Sequence, residues 1–186
     1  LDRSSAASDV YKRQENERLF SREEYRKSAQ VDPFFLTDEH AVVLGSNLKH
    51  PFKIKRLVGQ SGMSYGALGK NAITALSMGL AKAGTWMNTG EGGLSEYHLK
   101  GNGDIIYQIG PGLFGVRDHD GNFNRDMFIN LAEHNNVRAF EIKLAQGAKT
   151  RGGHMEGNKV TEEIARIRNV KPYETVSYTH LTLPTS

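Results

Sequence analysis

Three short apolar runs in this sequence, "RLVGQ", "TWMN" and "RAFEIKL", each give way to a glycine-bearing loop: "SGMSYG", "TGEGG" and "AQGAK". Behind the first loop, "KNAITALSMGLAKAG" sets Ala72, Leu76, Leu80 and Ala83 at helical spacing, and Gly84 supplies a stop. Behind the third, Thr161 is placed to cap "EEIARIR", whose glutamates suit the first turn and whose arginines suit the last. Strand, glycine loop and helix in that order predict parallel βα units, so the fold class is α/β.

The run "RAFEIKLAQGAK" alternates Phe140, Ile142 and Leu144 against Glu141, Lys143 and Ala145, which predicts a strand with one apolar face. Between the second and third runs, "GDIIYQIGPGLFGVRDHDGNF" reads as extended and broken by turns, with "HDGN" as a tight one. Asn124 is placed to cap a short helix through Met127, Phe128 and Leu131.

Glycine marks where this pattern holds. All 20 copies lie between Gly45 and Gly157, roughly 11% of the chain against about 7% in average proteins. "NTGEGG" places three glycines around Glu91, more than a surface turn needs. A ligand lying against bare backbone would explain them, because only a residue without Cβ lets the main chain come that close.

The flanks read differently. Residues 1–14 and 177–186 show no apolar periodicity and resemble translated adapter sequence, so they are set aside as non-native tails. Residues 15–55 form a lead-in. Its charged first half is helix-like, with Ser21 as N-cap, and its second half consists of loops and short pieces. Residues 56–176 carry the βα pattern. The natural protein is expected to continue past both edges.

Charge and composition narrow the function. The net charge is +3, with no Lys/Arg run to track a phosphate backbone, so nucleic acid is not an expected partner. No apolar run approaches the ~20 residues of a membrane helix. Without cysteine the chain has no disulfide, thiol nucleophile or cysteine-bound metal, which fits a reducing, cytoplasmic setting. The histidines show no metal-site spacing, and "DHDGN" lacks the remaining ligands of a calcium loop. No "GxxxxGK[ST]" loop occurs. "GPGLFG" spells "GxGxxG", but turn-broken sequence rather than a helix follows it. "GMSYG" spells "GxSxG" around Ser64, but no His–Asp partner pattern supports a nucleophile elbow.

In parallel βα folds, ligands gather in the loops at the C-terminal ends of the strands. Lys143 should point away from the apolar face, where it needs a compensating charge if it is interior. An open-sheet strand with Lys143 in water, or a Glu141–Lys143 surface pair, fits the sequence equally well. Gln146 and Lys149 follow on a glycine-flanked loop and suit a small carboxylate substrate. Arg168 could add a bidentate clamp, or serve as a helix C-terminal cation.

Four motifs, "SGMSYGALGKNA", "NTGEGGLSEYH", "YQIGPGLFGVRD" and "EIKLAQGAK…GNKVTEEIARIR", closely resemble the FMN-binding synthase domain of the glutamate synthase large-subunit family, above all its shorter stand-alone members. The resemblance runs from about Pro51 to Arg168. It implies a partial (β/α)8 TIM barrel carrying about the first three strands. It implies a reaction in which 2-oxoglutarate and ammonia give 2-iminoglutarate, which reduced FMN converts to L-glutamate. Met63, Ser64, Tyr65 and Gln108 match positions at the flavin ring, and Lys143 matches the strand lysine beside it. Glu91 matches the glutamate where ammonia enters, and Gln146, Lys149 and Arg168 match positions that hold 2-oxoglutarate.

The electron donor implied is ferredoxin or an NAD(P)H-linked subunit. An iron–sulfur cluster would belong to a longer parent, since its cysteines lie beyond the resemblance. The family's "GAKPGxGG" stands here as "GAKTRGGH", with His154 near a position often held by glutamine. Another small keto or hydroxy acid as substrate, or a non-catalytic binding module of the same fold, are the competing readings. For the 186-residue chain itself the expectation is poor solubility and no tight FMN binding.

Overall fold

A computed structural model of the chain describes residues 36–144 and 153–178. The lead-in begins with a hairpin: β1 (Val42–Leu44) pairs antiparallel with β2 (Phe52–Ile54). The helix-like segment expected over residues 15–30 lies outside the described residues.

The centre of the fold is a parallel sheet in the order β3 (Met87–Asn88), β4 (Ile105–Ile109), β5 (Val137–Ile142). The first apolar run adds a bridge on the β3 side, where Gln60 pairs in parallel with Met87. Its N–H donates to the Trp86 carbonyl, and its own carbonyl accepts from the Asn88 N–H. Helix α1 (Lys70–Ala83) connects that segment to β3, and α2 (Arg125–Ala132) connects β4 to β5. The α/β class with parallel strands is therefore present.

The strand inventory differs from the expectation in one respect. "IIYQI", read only as extended, is a five-residue strand at the middle of the sheet. Ile105, Tyr107 and Ile109 are buried and alternate with half-buried Ile106 and Gln108. The run that was expected to be the first strand is reduced to its bridge.

The helices end where the sequence placed their ends. Gly84 closes α1 in the left-handed conformation, φ 69°. The Asn124 Oδ1 accepts from the Met127 N–H at 3.0 Å at the start of α2. Thr161 Oγ1 accepts from the Ile164 N–H at 3.3 Å at the start of α3 (Glu162–Arg168). The buried face of α1 is turned by one residue from the expected one. Ile73 and Ser77 are buried, Leu76 and Leu80 pack partly, and Ala72 and Ala83 are exposed. Ser77 tolerates burial because its hydroxyl donates to the His98 carbonyl at 2.6 Å and accepts from the Gly101 N–H.

The core, formed by Ile73, Met87, Ile105, Tyr107, Ile109, Val116 and Val137, lies between the sheet and these helices. Phe140 joins it through Tyr107 and Phe128, with ring centroids 5.9 and 4.6 Å away. Ile142 and Leu144, expected on the same packed face, are instead 59% and 55% exposed. β5 is the last strand of the described sheet, and no described element covers its far end. A final pair, β6 (Gly153–Met155) with β7 (Val176–Tyr178), is antiparallel and spans the expected boundary at residue 177.

Candidate functional site

Four chain segments meet at the C-terminal end of the parallel sheet. The register sets Gln108 beside Glu141, and the Gln108 Nε2 donates to a Glu141 carboxylate oxygen. Lys143 follows on the same side. Its N–H continues the ladder to the Ile109 carbonyl, and its ammonium lies 3.6 Å from Glu91 Oε2. The expected orientation of Glu141 and Lys143, away from Phe140, is observed. Lys143 is paired with Glu91 across the sheet end rather than with its neighbour Glu141.

Glu91 reaches Lys143 because Gly110 has no side chain. A Cβ there would stand 2.3 Å from Glu91 Oε2. The glycines beside Glu91 have a different explanation from a ligand alone. Gly90, at φ +64°, would set a Cβ 2.7 Å from the Ser64 nitrogen. Gly92 would meet the Ser64 Cβ at 2.9 Å, and Gly93 the Ile167 carbonyl at 2.9 Å. The "TGEGG" loop is thus pressed onto the Met63–Tyr65 loop and the end of α3. Asn88 shapes its start by accepting the Gly90 N–H at 2.9 Å.

The Met63–Tyr65 loop is held from several directions. The Met63 N–H donates to the Asn88 carbonyl at 3.2 Å, and its carbonyl accepts from His98 Nε2 at 2.9 Å. His98 is fully buried, and Ser95 fixes its tautomer. The Ser95 N–H donates to Nδ1 at 3.2 Å, so Nδ1 carries no proton and Nε2 does. Burial pushes the imidazole below the ordinary histidine range and keeps it neutral.

Tyr65 turns away from the strand ends. Its hydroxyl donates to Glu163 Oε2 at 2.6 Å, and Tyr97 donates to Oε1 of the same carboxylate at 2.9 Å. The two rings lie 4.8 Å apart. The hydrogen bond from Tyr65, seconded by that from Tyr97, holds Glu163 below its usual range and raises both phenols. Arg168 lies behind the same loop, 7% exposed. It donates from Nη2 to the Tyr65 carbonyl at 3.1 Å, and its guanidinium stands 5.0 Å over the Phe114 ring.

Of the residues singled out in the sequence, the structure gathers Glu91, Gln108 and Lys143 on one polar face. Met63 and Ser64 lie on the adjoining loop, with Tyr65 and Arg168 packed behind it. Gln146 and Lys149 lie outside the described residues. Sequence reasoning missed Asn88, His98 and Glu163 as parts of this assembly. For His98 the available signal was Ser95 three residues earlier, a spacing that closes a side-chain turn.

Comparison with known proteins gives the family. The family model described as "Conserved region in glutamate synthase" matches residues 2–179. The chain belongs to the glutamate synthase family. It is 56% identical over 169 residues to the glutamate synthase large subunit-like protein YerD of Bacillus subtilis, covering 90% of this chain and 32% of that protein. To the archaeal-type glutamate synthase [NADPH] of a Thermotoga species it is 35% identical over 134 residues, 72% of this chain and 24% of that one. To the archaeal glutamate synthase [NADPH] of Archaeoglobus fulgidus it is 34% identical over 146 residues, 78% of this chain and 26% of that one. The chain therefore spans about a quarter to a third of the length of these relatives. Membership in the glutamate synthase family makes it part of an oxidoreductase family.

Proposed function

We propose that this chain carries the first part of an FMN-binding (β/α)8 barrel in a glutamate synthase-like oxidoreductase. The observation that supports it most is the Glu91–Lys143 pair beside Gln108, on the polar face at the strand ends. The face suits the ring of a flavin. A Cβ at Gly62 would come within 3.1–3.3 Å of Gly90 Cα, Gln108 Oε1 and Asn88 Oδ1, so bare backbone forms one wall. Lys143 offers a cation and Gln108 an amide next to it.

When bound and reduced, FMN would supply a hydride to protonated 2-iminoglutarate, formed from 2-oxoglutarate and ammonia with loss of water, to give L-glutamate. The chain's own residues bind and orient. Met63, Ser64, the backbone of Tyr65 and Gln108 border the ring, and Lys143 favours negative charge on it. Glu91 holds the Lys143 ammonium in place and lies at the mouth where ammonia arrives. Gln146 and Lys149 hold the substrate carboxylates, while Arg168, which matches a third such position, is engaged by the Tyr65 carbonyl and the Phe114 ring and supports the loop from behind. By relation to the NADPH-named proteins the electrons come from NADPH, with ferredoxin as the alternative donor, and an iron–sulfur cluster would be held by cysteines that this chain does not contain. The setting is cytoplasmic. No helix among the described residues is long and apolar enough to cross a membrane.

The test is Lys143→Met in a full-length protein containing this domain. Glutamate formation should fall about 100-fold, the scale of losing one preorganised charge at the reacting centre, while the thermal unfolding midpoint stays within a few degrees of the parent. Undiminished turnover would remove Lys143 from the site. His154, exposed and 3.0 Å from Ser177 Oγ, stands where the family often has glutamine. It favours a second reading in which the flavin reduces another small keto acid or oxidises a small hydroxy acid, and a substrate profile of the same protein separates the two.

A further inference from the structure

The carboxylate of Glu163 joins three segments that are far apart in sequence. Tyr65 belongs to the first loop, Tyr97 to the segment that carries the TGEGG glycines, and Glu163 to the first turn of α3. Each phenol occupies its own oxygen, at 2.6 and 2.9 Å, so both oxygens are engaged at once. The same helix also grips the other end of Tyr65, where Arg168 donates to its carbonyl at 3.1 Å. The carboxylate looks onto an open cleft of about 580 Å³ lined by Tyr65, Lys70, Glu163, Ile164 and Tyr173, outside the polar face at the strand ends. The Glu163 carboxylate therefore engages the loop's framework, on the side away from the polar face.

We infer that Glu163 is a positioning residue whose carboxylate, shared by Tyr65 and Tyr97, fixes the Met63–Tyr65 loop against the TGEGG loop and so sets the wall on which the flavin ring lies. The inference rests on the reading of that loop as flavin-lining. A charged acceptor with two oxygens suits the task because hydrogen bonds to an ionised group are about twice as strong as neutral ones. Glutamine at this position accepts from one phenol only, and the other must turn its proton away to accept from the amide, so neutral bonds replace two charge-assisted ones. Phenylalanine at position 97 removes one arm and keeps the ring contact with Tyr65.

The experiment compares Glu163→Gln, Tyr97→Phe and the double variant in the full-length protein. FMN affinity is read by quenching of flavin fluorescence, and the asymmetry around the bound ring by its visible circular dichroism. Each single variant should weaken FMN about fivefold by leaving the loop in its binding geometry only part of the time. Each should also change the visible circular dichroism. The double variant should be no worse than Glu163→Gln alone, because both act through one carboxylate. Variants that lower the unfolding midpoint but keep the parent's affinity and circular dichroism overturn the inference, since that is what a merely structural contact does. Additive losses in the double variant overturn it too. A parent that binds no FMN removes the functional reading, and this inference with it. A parent that binds FMN while the variants do not differ removes this inference alone.

Discussion

At the scale of single residues, the chemistry is set by what stands behind the polar face. Gly90 holds a left-handed backbone against the Ser64 nitrogen, so Gly90→Ala meets both a strained φ and a 2.7 Å clash. We expect a loss of ~2 kcal/mol, seen as a drop of about 4–8 °C in the unfolding midpoint; an unchanged midpoint would mean that the two loops are not pressed together. His98 makes a pH-dependent contribution whose sign follows from its depressed folded pKa. The neutral ring is favoured in the folded state, and the unfolded state takes up a proton near pH 6.5. The contribution is complete above that pH and is lost as pH falls below it, at up to about 1.4 kcal/mol per pH unit. Chemical denaturation between pH 7 and 5 should therefore show a shallower decline in His98→Gln than in the parent. Parallel curves would show that the imidazole protonates without cost, against its contact with the Ser95 N–H.

At the scale of elements, caps were the most legible feature and faces the least. Gly84, Asn124 and Thr161 end or begin helices where their side-chain chemistry requires it, because a cap is settled by neighbours within four residues. The buried face of α1 is decided by the sheet it meets. Ser77 is taken in by a hydrogen bond to the His98 carbonyl that no helical periodicity announces. β4 was read as extended without being placed in the sheet, since its centrality comes from pairing with β3 on one side and β5 on the other. Glu91 and Lys143 were both named from sequence, but their partnership depends on Gly110 leaving room and on β4 lying between them. Glu163 was legible only as a first-turn acid. The two tyrosines that use it come from elsewhere in the chain. A control at this scale is Asn124→Ala, which should cost about 1 kcal/mol through the lost bond to the Met127 N–H. The change should appear in the unfolding midpoint and leave FMN affinity alone, because α2 packs through Phe128 on Phe140, which alternates with Lys143 along the strand; a matching fall in affinity would tie α2 to the site.

At the scale of the whole molecule, the arrangement of apolar surface bears on how the 186-residue polypeptide behaves. β5 is paired on one side by β4, and beyond it Ile142 and Leu144 are 59% and 55% exposed. Elsewhere in the described residues Val42, Leu44, Leu57 and Val58 are all between 45% and 70% exposed. A long strand edge flanked by uncovered apolar side chains is a template for pairing with another chain. The polar face loses too, because the Glu91–Lys143 and Gln108–Glu141 contacts border open space at the last described strand. A flavin held on one side only would keep part of its ring in water and forfeit the buried area that tight ligands need. The 186-residue chain should therefore associate as its concentration rises and bind FMN weakly, while a longer protein containing it should be monodisperse at the same concentration and bind FMN tightly. Light scattering across a dilution series, alongside flavin fluorescence titration of both polypeptides, measures the two effects together. A short chain that stays monomeric and co-purifies with stoichiometric yellow flavin would show that β5 closes the site without further strands.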